Sequence, residues 1–259
     1  MLLHYVVGYR KEVIYQNLRN SFPEKSEEEI KAIQLKYYRY LCDLMLETFK
    51  TLTMSRKTAL LHCSVNQETV ELFNHYYDQN KSVIIVLGHL GNWEWAGNAF
   101  SLQCKHRLYV IYHPFSNPLF DKLIVNIRTR FGTRLIPMKD TFRQMTKNKT
   151  ELTATAFIAD QTPSAENAHW MKFLNQDTPV FKGTELMAAR FNYPVIFVNV
   201  ERVKRGYYIV KADGQIEQPA ALPKGFVSEW HTKALEAAIQ LKPVFWLWSH
   251  RRWKYKKPF

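Results

Sequence analysis

Two residues within one short stretch have the chemistry to move a proton: His89 and Glu94 in Ser82-Val83-Ile84-Ile85-Val86-Leu87-Gly88-His89-Leu90-Gly91-Asn92-Trp93-Glu94-Trp95-Ala96-Gly97. A carboxylate on one imidazole nitrogen fixes the tautomer and raises the basicity of the other nitrogen, which equips the ring to deprotonate a hydroxyl. On a continuous helix, residues five apart point roughly 140° from each other. A His89–Glu94 contact therefore requires His89 on a turn and Glu94 in the first turn of a helix, where the helix dipole favours a negative charge. Unpaired N–H groups at that helix start, near Gly91 and Asn92, could hold a developing oxyanion. Against this stands the plainer reading of a surface histidine and an unrelated helix-start glutamate. A zinc site is disfavoured, because the chain has neither His-Glu-x-x-His nor paired cysteine spacing.

The elements around the stretch have to supply that geometry. Val83 to Leu87 is a short, β-branched apolar run, as a strand buried on both faces would be. Gly88 and Gly91 allow a tight turn and close approach of another molecule. From Leu60 to Ala159, strand-like runs (60–65, 83–87, 107–112, 135–137, 153–159) alternate with helical patterns at the spacing of βα units. In open α/β sheets ligands bind at the carboxyl ends of strands, and His89 and Asp160 both fall there.

Upstream, residues 9–21 read as a basic helix. Ser26 with Glu29 forms a capping box ahead of a long amphipathic helix marked by Ile30, Ile33, Tyr37, Leu41, Leu44 and Thr48. Downstream, Ser164 to Val180 reads as a long loop with Trp170, Met171 and Phe173. Two readings of it are open: contact with an acyl chain or membrane, or a loop folded on its own small core. A helix over 183–191, a strand pair (194–200 and 207–211) and a last amphipathic helix through Val227, Trp230, Ala234, Ala237 and Leu241 follow. The fold class is α/β, with a mixed, largely parallel central sheet flanked by helices. No linker divides the 259 residues, so a single domain over 1–259 is expected.

The net charge of +13 calls for an anionic partner, and charge alone does not choose among nucleic acid, anionic lipid, a phosphorylated substrate or an acidic carrier protein. No helix-turn-helix, RRM or zinc-finger pattern supports nucleic acid. Cys42, Cys63 and Cys104 are odd in number and widely spaced, as free thiols of a reducing compartment are. In the tail, Phe245-Trp246-Leu247-Trp248-Ser249-His250-Arg251-Arg252-Trp253-Lys254-Tyr255-Lys256-Lys257, basic and aromatic residues interleave. That pattern fits an anionic membrane surface, single-stranded nucleic acid or a solvated charged end.

Gly88-His89-x-Gly-Asn-Trp-Glu94 resembles the His-x4-Glu motif of the late acyltransferases of lipid A biosynthesis, the lauroyl/myristoyl transferase family. The resemblance runs along nearly the whole chain. Asn117-Pro118-x-x-Asp121 with Arg128-x-Arg130 resembles the family's acceptor-side segment. Asp160-Gln161 matches its acidic residue after a strand, and Phe181-x-Gly183-x-Glu185 the segment after the site loop. The closing Trp246-Leu247-Trp248-Ser249-His250-Arg251-Arg252-Trp253-Lys254 resembles its Trp-Leu-x-His-Arg-Arg signature. Tyr112-His113-Pro114, where many members have Tyr-Arg-Pro, and Phe181-Lys182-Gly183 depart from the pattern.

The resemblance implies a glycerolphosphate-acyltransferase-like fold. It implies transfer of a fatty acyl chain from an acyl-carrier-protein thioester to a hydroxyl of a phosphorylated lipid acceptor, a lipid A precursor. The catalytic pair would be His89 and Glu94. Gly91, Asn92, Arg128, Arg130, Asp160, Glu185, Arg251 and Arg252 would contact substrate, with the two C-terminal arginines on a phosphate. No cofactor or metal is required, and the chemistry is expected at the cytoplasmic face of the bacterial inner membrane. Residues 1–25 are expected to be the remnant of a membrane-anchoring region. Direct transfer is expected, since no Gly-x-Ser-x-Gly elbow is present. A neutral His89 is needed as base, so activity should fall below about pH 6. The alternatives are a same-fold acyltransferase acting on another glycolipid, aminolipid or lysophospholipid, and a non-catalytic basic membrane- or nucleic-acid-binding protein.

Overall fold

The structure, a computed structural model, describes residues 7–166 and 168–257. The first six residues of the expected anchor remnant lie outside the described residues. Two helices open the fold: α1 (Lys11–Ser21) and α2 (Glu27–Lys50). The Ser26–Glu29 capping box forms, with both reciprocal hydrogen bonds in place. There follow α3 (Arg56–His62), β1 (Cys63–Val65), α4 (Gln67–Asp78), β2 (Val83–Leu87), α5 (Trp93–Gln103), β3 (Arg107–Tyr112), α6 (Pro118–Thr129), β4 (Arg134–Pro137), α7 (Thr141–Lys147) and β5 (Thr153–Ile158). The chain continues through β6 (His169–Phe173), β7 (Gln176–Val180), α8 (Gly183–Phe191), β8 (Val195–Lys204), β9 (Tyr207–Ile216) and α9 (Phe226–Leu241).

Seven strands form one sheet in the order β1-β9-β8-β2-β5-β3-β4. All neighbours pair in parallel except β8 with β9, which is the mixed, largely parallel sheet expected. Strand β2 lies in the middle, between β8 and β5, and all five of its residues are buried. Its alternation divides the core. Ile84 and Val86 pack with α1, α2 and α9 on one face, while Val83, Ile85 and Leu87 pack with α4 and α5 on the other. Each such side chain contributes about 1.5–3 kcal/mol of burial, so the middle of the sheet is a fixed base for whatever follows Leu87.

Three expectations need correction. Leu60 to His62 belong to helix α3, not to a strand; Ser55 caps that helix, and only Cys63–Val65 enters the sheet. The stretch 164–180 is not a long loop but carries the antiparallel hairpin β6–β7. Its two-residue turn, Leu174-Asn175, has φ of 49° and 65°. Left-handed turns of this kind normally announce themselves with Asn-Gly or Gly; here a leucine takes the strained position and is wholly buried. The tail, finally, is not a solvated end as far as Trp253. Trp246, Trp248 and Arg252 are at most 1% exposed, and Asn17 Nδ2 donates to the carbonyls of Trp248 and His250. Each indole has an acceptor: Asp160 for Trp246, the Pro243 carbonyl for Trp248 and Thr178 for Trp253. Only Arg251 and Lys254 to Lys257 are exposed in this stretch.

Candidate active site

His89 stands two residues past the end of β2, in a turn that two glycines and the tail hold in place. A Cβ on Gly88 would lie 2.6 Å from Leu235 Cδ1. Gly91 has φ +65°, and a Cβ there would lie 2.1 Å from the Val200 carbonyl oxygen, so both sterics and backbone conformation require glycine. The Leu247 N–H donates to the His89 carbonyl (3.1 Å) and the Gly91 N–H to the Phe245 carbonyl (3.0 Å). This short antiparallel bridge stitches the turn to the tail. Tyr40 of α2 donates its hydroxyl to the Gly91 carbonyl.

The carboxylate on His89 is Asp160, from the residues just beyond β5. Its Oδ1 accepts the His89 Nδ1–H at 2.6 Å, and its Oδ2 accepts the His89 backbone N–H at 2.8 Å and the Trp246 indole N–H at 2.7 Å. An ionised carboxylate only accepts, so the His89 proton sits on Nδ1 and Nε2 presents its lone pair. The Gln161 amide lies 3.3 Å from Nε2, and the Trp93 ring packs edge-on against the imidazole with centroids 4.9 Å apart. Burial pushes the Asp160 carboxyl up. His89 and the hydrogen bonds it accepts outweigh that and hold it down to about 2.

Glu94 lies in the first turn of α5, as expected, but its oxygens are taken by Arg128 of α6. The Nε–H of Arg128 donates to Oε2 at 2.9 Å and its Nη2–H to Oε1 at 2.6 Å, a bidentate pair. Burial raises the Glu94 carboxyl, and Arg128, more than offsetting it, leaves it lowered. His89, Glu94 and Arg128 line one cleft of about 510 Å³, together with Trp93, Tyr112 and Gln161. An apolar pocket of about 280 Å³ shares Ile111, Met138 and Ile158 with that cleft and continues towards Phe142 and Met187.

The other expected site residues divide. Asn92 is the N-cap of α5: its Oδ1 accepts the Trp95 N–H (2.9 Å) and its Nδ2 donates to Glu47 (2.8 Å). With the Gly91 N–H committed to Phe245, these two residues shape the turn, and the Gly91 N–H is not an unpaired oxyanion donor. Arg130 donates to the Met54 carbonyl at 3.2 Å and does not line the cleft. Glu185 caps α9, accepting from the Gly225 and Ser228 N–H groups and from the Ser228 hydroxyl. Arg252 is buried, donating to the Pro179 carbonyl at 2.8 Å, which puts it out of reach of a substrate phosphate. Arg251 is exposed. Sequence spacing gave no sign that Trp246 would bind Asp160; only the segment's place in a family signature drew attention to it. Among the described residues, no group of three or more His, Cys, Asp or Glu side chains is placed to hold a metal ion.

A family model for bacterial lipid A biosynthesis acyltransferases matches residues 2–255. The chain belongs to that family. It is an acyltransferase of lipid A biosynthesis. It is also similar to the lipid A biosynthesis lauroyltransferase of Escherichia coli (strain K12), 22% identical over 249 residues, a match that covers 95% of this chain and 79% of that protein. The family match extends to the closing segment whose Trp246 reaches Asp160. In this acyltransferase the histidine of the His-x4-Glu motif takes its carboxylate from just beyond β5, three strands later in sequence, while the motif's glutamate pairs with an arginine.

Proposed function

We propose that this acyltransferase moves a fatty acyl chain from an acyl-carrier-protein thioester to a hydroxyl of a lipid A precursor, with His89 as general base and Asp160 as the group that orients it. The observation that carries this reading is the Asp160-bound imidazole on the wall of the cleft, whose Nε2 lone pair meets only the Gln161 amide nitrogen at 3.3 Å, a contact that an acceptor hydroxyl replaces. His89 Nε2 takes the hydroxyl proton and the alkoxide oxygen attacks the thioester carbon. The tetrahedral intermediate expels the carrier's thiolate, and the thiolate recovers the proton from the imidazolium. General-base assistance of this kind is worth about 10²–10⁴ in rate. Asp160, held ionised, stabilises the imidazolium.

The oxyanion falls to the start of α5. Asn92 already satisfies the N–H groups of Trp95 and Ala96, which leaves those of Trp93 and Glu94, both residues of the cleft wall, as donors. Arg128 uses Nε and Nη2 on Glu94; its Nη1 takes a phosphate or hydroxyl of the acceptor. The apolar pocket beyond Ile111 and Ile158 takes the acyl chain.

Both substrates are anionic or lipid-borne, and the molecule suits them. The +13 charge favours an acidic carrier protein. Around the cleft and the apolar pocket, Phe115, Leu119, Phe120, Met138, Phe142 and Leu186 are exposed, among the exposed cations Lys122, Lys139, Arg143 and Lys182. That rim rests on the anionic surface of the inner membrane, from which the lipid acceptor enters. Among the described residues, no helix is long and apolar enough to cross a membrane.

The test is acyl transfer from acyl-carrier protein to a lipid A precursor by wild type and His89→Ala. Transfer by the wild type and a loss of about a hundredfold or more in the variant is expected. Transfer that survives the substitution removes His89 as base.

A further inference from the structure

Next to Asp160, among buried side chains, lies a small cavity of about 10 Å³ lined by Asp160, His231, Thr232 and Arg252 and by apolar side chains that include Leu87, Phe173 and Leu235. About 10–15 Å³ is the room one water needs, provided it finds two to four polar partners. Three are present. His231 Nε2 and Arg252 Nε are buried nitrogens without a hydrogen-bond partner, on residues 3% and 1% exposed. The third partner follows from counting on Asp160. Oδ2 already accepts two hydrogen bonds, from the His89 backbone and from Trp246, whereas Oδ1 accepts one, from His89 Nδ1. One lone pair on Oδ1 is left.

We propose that a single internal water joins Arg252 Nε–H, His231 Nε2 and Asp160 Oδ1, and that through it Arg252 is a positioning residue that fixes the charge behind the His89–Asp160 pair. The water accepts from Arg252 and donates to His231 and to Asp160, so all three groups are satisfied. The inference rests on His89 acting as base.

The charges support this arrangement. Burial pushes the Arg252 guanidinium down to about 10, with Asp160 opposing the shift, so it stays a cation at neutral pH. Burial pushes His231 down to about 4, with Glu185 and Asp160 opposing, so its ring is neutral and can accept. A fixed positive charge on the far side of Asp160 disfavours a proton on His89. The charge acts on the base from behind, without touching substrate. The other groups facing the pair are His250, which burial also holds down to about 4, Gln161, and the Glu94–Arg128 ion pair across the cleft.

The experiment compares wild type, Arg252→Met, Arg252→Lys and His231→Phe by the pH profile of kcat/KM and by ¹⁵N NMR titration of the His89 ring, with near-UV circular dichroism as the check on folding. Arg252→Met should move the acidic limb and the NMR midpoint to higher pH by about half a unit or more. Arg252→Lys, which keeps the charge, should hold the wild-type midpoint. His231→Phe fills the cavity with about one water's volume of apolar ring and should move the midpoint in the same direction by less. It is the variant to read if Arg252→Met does not fold. Unchanged midpoints in Arg252→Met or His231→Phe, or equal shifts in the Met and Lys variants, overturn the proposal. Because the titration needs no turnover, absence of acyl transfer counts against the reaction alone, and the variant comparison still decides the role of Arg252.

Discussion

Asp160 grips His89 at two points, the ring Nδ1–H at 2.6 Å through Oδ1 and the backbone N–H at 2.8 Å through Oδ2. The double contact fixes both the ring's tautomer and the position of the turn that carries it, so one carboxylate serves orientation and electrostatics together. Asp160→Asn keeps the shape, removes the charge and offers an amide that can present the wrong group to Nδ1. The expected loss in kcat is about 10²–10⁴, the range general-base assistance supplies. Single-turnover rates with pre-bound acyl-carrier protein measure it apart from binding. The fold should respond to acid as well. The Asp160 carboxyl lies at about 2 in the fold, below its ordinary 3.8. Its ionised form therefore adds stability at every pH above about 4, and that stability is lost as pH falls through about 2. Acid titration of wild type against Asp160→Asn checks the window: the variant's curve should be flatter there.

Glu94 and Arg128 form the second ionic unit of the cleft, with side chains 11% and 20% exposed. Breaking a buried pair by removing one partner leaves the other charge uncompensated, at about 3–5 kcal/mol, whereas replacing both is far milder. Arg128→Met alone should therefore destabilise more than the double variant Glu94→Gln/Arg128→Met. Denaturant unfolding of Glu94→Gln, Arg128→Met, the double variant and wild type measures the coupling. A loss in the double variant equal to the sum of the losses in the two single variants would show that the pair contributes no net coupling.

Gly91 should be the least substitutable residue of the motif after His89. An alanine there must hold φ near +65° and would place its Cβ 2.1 Å from the Val200 carbonyl oxygen. The left-handed conformation alone costs about 1–2 kcal/mol, and the turn must also shift off Val200, dragging the Gly91–Phe245 hydrogen bond with it. Gly91→Ala should lower the melting temperature by several degrees and acyl transfer by about tenfold or more. Gly183→Ala is the matched control. Nothing lies within 4 Å of a Cβ there, and the residue begins a helix, so the change should be neutral or stabilising by up to about 1 kcal/mol.

Much of this arrangement is written in local pattern. The buried β-branched run 83–87, the glycines after it, the capping box of α2 and the final amphipathic helix all carry their reasons within a few residues. The position of Asp160 at a strand end was legible for the same cause. Which carboxylate reaches His89 was not. A five-residue spacing made Glu94 the natural partner, and only the parallel pairing of β2 with β5, a contact across about seventy residues of chain, brings Asp160 closer. The tail misled for a related reason. Interleaved Trp and Arg look like an interfacial surface, but Trp246 and Arg252 find acceptors that exist only once the sheet and the hairpin β6–β7 are assembled. The hairpin itself was hidden because its turn places Leu174, not glycine, at positive φ.

That correction moves the proposed membrane contact from the tail to the rim of the cleft. The tail's three tryptophans pack in or against the core, whereas Leu119 is 81% exposed, Leu186 58% and Phe142 49%. Phe115 and Phe120 pack edge-to-face at 5.0 Å beside the cleft mouth. Withholding one such side chain from a bilayer forfeits about 1.5–3 kcal/mol, which is roughly a tenfold change in partitioning or more. Leu119→Glu and Phe142→Glu should each weaken co-sedimentation with phosphatidylglycerol-containing vesicles by about that factor. They should leave turnover of a short-chain, water-soluble acceptor near wild type. Leu61→Glu is the control: it is 65% exposed, but on α3, beside β1 at the opposite edge of the sheet from β4. Lys254, Lys256 and Lys257 are still exposed, and each cation near an anionic surface adds about 1 kcal/mol, so neutralising all three tests the tail directly. If the lysine variant loses vesicle binding while the rim variants keep it, the tail is the anchor and the acceptor does not enter across the apolar rim.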